Sequence, residues 1–156
     1  METLEMLLQE TPFFAPLARD HVALIAGCGS NTHFDEDEIL FREGEDADTF
    51  YLVRHGVVAI ETFVAARGTI TIETVEAGEM IGWSWLFPPY RWHFDARALV
   101  PTRATAFDGA CLREKCGRDP ALGYALMTSV SQVLIERLQW TRLRLLDLYG
   151  DAGGSR

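Results

Sequence analysis

The sequence predicts a mainly β domain with flanking helices: a β-roll between short N-terminal helices and one long C-terminal helix. Three observations carry this. Gly44, Gly56, Gly68 and Gly78 fall 10 to 12 residues apart between short runs rich in β-branched and aromatic residues, the spacing of an all-β roll or barrel. Beyond Asp108 the apolar period changes from that of a strand to that of a helix. The chain has 156 residues and is 48% hydrophobic, enough for one globular domain with a real core.

The first segment, residues 1–27, reads as helix. Leu4, Leu7 and Leu8 share a face, "TPFFAP" interrupts the chain, and Leu17, Val22, Leu24 and Ile25 resume the apolar pattern until Gly27 and Gly29. Residues 28–108 form the expected β-roll. Residues 109–149 hold the C-terminal helices, with Asp119 as N-cap and Pro120 in the first turn of the last one. On that helix Met127, Leu134, Leu138, Leu145 and Leu148 fall at spacings of three, four or seven, and Leu126, Val130, Val133 and Trp140 form an adjoining stripe. Two apolar stripes exceed what one contact with a roll requires. The expectation is a homodimer through Met127, Val130, Leu134, Leu138 and Leu145. "GDAGGSR" reads as a frayed end, with a flexible tail over residues 151–156.

Charge and composition exclude several roles. The net charge of −9 disfavours phosphate neutralisation, so no nucleic acid is expected to bind this chain alone. No apolar run approaches a membrane span. "LIAGC" mimics a lipoprotein cleavage box, but the acidic start and the charged Arg19 and Asp20 argue against a signal. Cys28, Cys111 and Cys116 are odd in number and sparse, which fits a reducing compartment and a cytoplasmic protein. No metal is expected: Cys111 and Cys116 lack a second ligand pair, and His21, His33, His55 and His93 contain no His-x-His. No nucleophile elbow or phosphate loop occurs, so catalysis is not expected.

Three of the four tryptophans, Trp83, Trp85 and Trp92, lie within ten residues of "GEMIGWSWLFPPYRWHFDARALVPTRATA". Together with "FREGEDADTFYLVRHGVVAI", "VEAGEMIG" and "RLQWT", this stretch resembles the cyclic nucleotide-binding domain, and more specifically the sensor half of the Crp–Fnr (catabolite activator) regulators. The resemblance runs from about Leu4 to Leu148. It implies a double-stranded β-helix, a jelly-roll-like β-roll, with a phosphate-binding cassette in the tryptophan-rich stretch and a dimer helix behind it.

The resemblance also implies specific ligands for a cyclic nucleotide: a glycine followed by a ribose-binding glutamate, and an Arg-Ser/Thr-Ala clamp for the phosphate. Gly82 matches the glycine, but Trp83 stands where the glutamate belongs. Counting back from Ala96-Arg97-Ala98 without gaps, Trp92 takes the arginine position and His93 the Ser/Thr position; a shift of one puts Arg91 there. Thr141 and Arg142 match positions that touch the base. The candidate pocket is therefore Gly82, Trp83, Ser84, Trp85, Arg91, Trp92, His93, Arg97, Thr141 and Arg142. Three readings stay open: a flatter, more apolar small effector stacked on tryptophan; a pocket filled by its own aromatics, leaving a scaffold that acts by contact with a protein partner; or a cyclic nucleotide held through Arg91. The family's helix-turn-helix domain has no counterpart before Arg156. The expectation is a stand-alone sensor; the alternative is the regulatory part of a Crp–Fnr-type transcription regulator whose DNA-binding domain is absent from this chain.

Overall fold

The structure, a computed structural model, describes residues 3–153, with side chains through Gly150. Two short helices, α1 (Leu4–Glu10) and α2 (Arg19–Ala26), lead in. The Thr3 hydroxyl caps α1 by accepting from the Met6 amide. Eight strands follow: β1 (Gly29–Phe34), β2 (Ile39–Phe41), β3 (Thr49–His55), β4 (Val57–Val64), β5 (Gly68–Glu76), β6 (Met80–Ile81), β7 (Asp95–Ala98) and β8 (Thr102–Asp108). Then come α3 (Gly109–Arg118) and α4 (Pro120–Gly153).

The strands form two four-stranded sheets, in the orders β1-β8-β3-β6 and β2-β7-β4-β5. Every pairing is antiparallel. This is the jelly-roll arrangement: the chain passes back and forth between the two sheets, except at the β4–β5 hairpin, which stays within one. β3 shows why the first sheet is central. Its period of two sends Phe50 and Leu52 into a cluster with the helices, and Val53 into a cluster between the sheets, against which Tyr51 also packs. The helix-side cluster holds Leu8, Phe14, Ile25, Phe107, Leu112, Leu122 and Leu126. The inter-sheet cluster holds Phe41, Val58, Ile60, Val75, Ile81, Trp92 and Ala96.

Cys28 and Cys111 form a disulfide with a Cα separation of 5.8 Å, and Cys116 is free. The reading of three sparse thiols is corrected here. β1 and β8 run side by side, so the chain before β1 meets the start of α3, and two cysteines 83 residues apart in sequence become neighbours.

Asp119 caps α4, its Oδ1 accepting from the Leu122 amide. The helix continues through Gly153, so a tail starting at residue 151 is corrected; residues 154–156 lie outside the described residues. Glycine at 150 and 153 weakens a helix by about 1 kcal/mol each without breaking it. Leu122, Leu126 and Val130 are fully buried against the roll and helices. Val130 is thus a core residue of its own chain, which corrects its placement on a dimer face: it continues the i, i+4 ridge of Leu122 and Leu126. Met127, Leu134, Leu138 and Leu145 remain exposed.

Candidate functional site

Between β6 and β7 the chain makes a sharp exit at Gly82 (φ 96°), one 3₁₀ turn over Ser84–Leu86, and a loop that returns to β7. The loop is held from two sides. Arg113 of α3 donates to the Trp85 carbonyl at 2.5 Å and lies 4.5 Å over the Tyr90 ring. The Ala47 amide donates to the Tyr90 carbonyl at 2.8 Å, and the Trp92 amide to the Glu45 carbonyl at 3.0 Å.

The loop closes a cavity of about 340 Å³ against β2, β4, β5 and α4. Five of the expected residues line it: Gly82, Trp83, Ser84, Trp92 and His93. Trp92 is the most deeply set. It is 5% exposed, stacks on Phe41 with centroids 3.8 Å apart, and covers Gly82 so closely that a Cβ there would sit 2.7 Å from its ring. Gly82 is therefore required twice, by its left-handed backbone and by the indole pressed on it. Trp83 closes another wall, 5.1 Å from Phe50 and under the guanidinium of Arg137 at 5.8 Å. His93 stands at the exposed mouth beside Phe87 and Phe94.

The other five expected residues lie elsewhere. Trp85 is fully exposed to protein and not at all to solvent, packed 5.4 Å from Phe50 in the helix-side core. The 3₁₀ turn rotates it away from its neighbour Trp83. Arg91 points outward to Asp46 (3.1 Å) and the Gly44 carbonyl (3.0 Å). Arg97 forks onto Glu61 with bonds of 2.9 and 3.0 Å and reaches Asp37 at 2.6 Å. The hydrogen bond to Glu61 leads in raising the Arg97 pKa, so the guanidinium stays charged. This clamp ties β7 to β4 and satisfies a nearly buried carboxylate. Thr141 donates its hydroxyl to the Arg137 carbonyl of its own helix at 2.9 Å, and Arg142 is exposed on that helix. Neither lines the cavity.

Arg137, Glu73, Phe41, Ile60, Phe87 and Phe94 line the cavity although the sequence reading did not select them. Phe87 and Phe94 stood inside the quoted aromatic stretch, Phe41 and Ile60 at the two ends of "FREGEDADTFYLVRHGVVAI", and Arg137 inside "RLQWT", so a signal existed for five of them. Leu134, expected at a dimer face, also lines the cavity. Among the described residues Arg137 is the one guanidinium on the wall, and it is already engaged. It donates to the Met80 carbonyl at 2.8 Å and lies 3.4 Å from Glu73. The indole N–H groups of Trp83 and Trp85 are buried without a partner.

This walled, aromatic recess in a jelly roll can be set beside known proteins. A family model of the cyclic nucleotide-binding domain matches residues 31–119. The chain belongs to that family. As a cyclic nucleotide-binding domain it is 24% identical over 136 residues to the HTH-type transcriptional regulator Cmr of Mycobacterium tuberculosis (strain CDC 1551 / Oshkosh). That match takes in 87% of this chain and 54% of the regulator, so the chain spans about half the length of its curated relative. A protein of Geobacter metallireducens GS-15 named for cyclic nucleotide binding is 31% identical, with TM-score 0.78, over 88% of this chain and 99% of that one. The sensor domain of the transcriptional regulator DNR from Pseudomonas aeruginosa shares the fold, with TM-score 0.68 and 21% identity over 86% of this chain and 91% of that one. The chain is thus a cyclic nucleotide-binding-like regulatory domain related to transcription regulators, and Trp83 and Trp92 line its cavity.

Proposed function

We propose that this domain is a sensor whose cassette cavity takes a small, flat, largely apolar effector rather than cyclic AMP or cyclic GMP. The observation that carries the reading is the placement of Trp92. Its ring covers Gly82 and stacks on Phe41, so an indole occupies the inner end of the cavity. Trp83 replaces the expected ribose-binding carboxylate. The guanidinium on the wall, Arg137, is spent on Glu73, Met80 and Trp83, and a phosphate must compete with those contacts. What remains is an aromatic recess, about 340 Å³ in volume, near the lower end of the range for small-molecule sites of roughly 300–1,000 Å³. Stacking on such walls selects flat ligands.

The cost to a cyclic nucleotide follows from the replacements. Loss of a charge-assisted bond to ribose costs roughly 1.5–3 kcal/mol, and an engaged or displaced phosphate clamp costs a similar amount. Together these weaken a nucleotide by roughly 3–6 kcal/mol, a factor on the order of 10² to 10⁴. Calorimetry with both cyclic nucleotides is expected to show millimolar or absent binding, and a Kd below about 10 µM defeats the reading. Tryptophan fluorescence in a metabolite screen tests the other half: a flat apolar compound that shifts the Trp83 signal supports it. If nothing does, the domain is a scaffold that acts by protein contact.

The proposal includes a homodimer along α4. Met127, Leu134, Thr141 and Leu148, with Ser131, Leu138 and Leu145 between them, make an unbroken seam at alternating spacings of four and three, the signature of a coiled-coil face. Leu134, Leu138, Leu145 and Leu148 are all exposed in the single chain. Thr141, expected in the pocket, falls on this seam. No DNA contact by these residues and no catalytic step form part of the proposal. Among the described residues, no helix is long and apolar enough to cross a membrane.

A further inference from the structure

A second cavity, of about 440 Å³, lies on the face of the first sheet against which α1 packs. Leu7 of α1 forms one edge, and the rest is Asn31, Thr32, His33, Arg54, His55, Arg103 and Ala104. Two arginines and two histidines line it, and no carboxylate does. The chain carries 23 acidic residues against 14 basic ones, so this concentration runs against its composition. Among the described residues, none of the ion pairs involves Arg54, Arg103, His33 or His55.

The sheet register builds the cluster. His33 on β1 stands opposite Arg103 on β8, and Arg103 stands opposite His55 on β3. Three cationic or cation-capable side chains thus form one cross-strand row, about 10 Å from end to end at strand spacing. A fourth is added by a bulge. The β3–β8 register shifts between Val53 and His55, so the extra residue, Arg54, leaves the alternation and lines the same cavity as His55. Gly56 holds the strand end in place: its φ is 110°, and a Cβ there would collide with Thr102 Oγ1. Arg54 is oriented from below, its Nη1 donating to the hydroxyl of fully buried Thr105 at 3.3 Å, and Thr105 in turn reaches Asn31 Oδ1 at 3.5 Å.

A cross-strand row of one arginine between two histidines, with a bulged arginine added and no carboxylate in the lining, offers several N–H donors and two guanidinium charges that an anion would complete. We propose that this cavity is a binding site for a small oxyanion carrying two or more negative charges. Guanidinium groups with free N–H pairs suit phosphate and carboxylate oxygens alike, so a phosphorylated metabolite and a polycarboxylate share the required chemistry. The concave shape and the edge supplied by Leu7 fit a small molecule. This site is separate from the cassette cavity, with no lining residue in common, and does not depend on what that cavity binds.

Calorimetry of the intact chain at low ionic strength, with sodium pyrophosphate in one arm and citrate in the other, tests the proposal. Saturable binding of either probe is expected, and the stronger arm identifies the source. Arg103→Gln and Arg54→Gln are each expected to weaken it at least about tenfold. Arg142→Gln removes the same charge from an exposed helix position and is expected to change it less than about twofold. Arg54 is half-buried in the bulge, so exposed Arg103 decides the case if the Arg54 variant does not fold. Absence of saturation by either probe up to about 10 mM overturns the proposal. So does undiminished binding by Arg103→Gln, or an equal loss in Arg142→Gln.

Discussion

The two halves of α4 have the same apolar rhythm and opposite fates. In the first half Leu122, Leu126 and Val130 are sealed against the roll. In the second half Leu138, Leu145, Leu146 and Leu148 face solvent. Periodicity states how many apolar faces a helix has. It does not state which molecule covers them. The first half is a core element whose partner lies in the same chain, while the second half carries more apolar surface than its own roll can bury. Between them sits Arg137, which binds β6 through the Met80 carbonyl, and farther along Arg144 donates to the Ile72 carbonyl of β5 at 3.0 Å. These two arginines keep α4 beside the roll where apolar packing has ended.

The strongest way to break this contrast is to charge the second half. Replacing Leu134 and Leu138 together with glutamate places four carboxylates around the proposed dyad, at a cost of several kcal/mol of association. Light scattering is expected to show a wild-type dimer and a monomeric variant; a wild-type monomer at micromolar concentration erases the distinction between the halves. The mirror experiment is Leu126→Ala. It opens a cavity in the subunit core and is expected to lower the unfolding free energy by about 2–5 kcal/mol, at any protein concentration, in urea titration.

The junction sharpens the boundary. Arg137→Gln removes the Glu73 contact and weakens the bond to β6. For a partly exposed group, a loss of about 1–2 kcal/mol is expected, with a shift in Trp83 emission that the Leu126 variant does not produce. The smallest effect belongs to Leu145→Ala. It is expected to change subunit stability by less than about 1 kcal/mol, while lowering the concentration-dependent part of the melting temperature. A Leu145 variant as destabilised as Leu126→Ala in dilute solution contradicts the comparison.

The cassette repeats the lesson at the scale of single residues. Trp83 and Trp85 are two positions apart, and the sequence places both in a pocket. A single 3₁₀ turn separates them, one on the cavity wall and the other in the core. The sequence offers Arg97 as a pocket residue able to hold a polar group of a ligand. The structure gives it Glu61, 36 residues away in sequence. Asp95 accepts from the Glu43 amide at 2.7 Å, 52 residues away in sequence. Each of these partners lies across a sheet, and sequence distance carries no trace of it.

By itself the sequence determined the fold and its punctuation. Glycine spacing, the change of apolar period after Asp108 and the Asp119-Pro120 helix start are local signals, and local backbone physics suffices to read them. It also pointed to the loop that walls the cavity, because a cluster of aromatic residues within one loop is visible as composition. The tertiary structure decided which tryptophan lines the cavity, that Arg137 and Glu73 reach it from α4 and β5, that Val130 is core, and that Cys28 meets Cys111. It also assembled His33, Arg54, His55 and Arg103, which no motif search along the chain brings together because they stand on three strands. Strand register and helix rotation set those contacts, and both are fixed only when the sheets and α4 pack against one another.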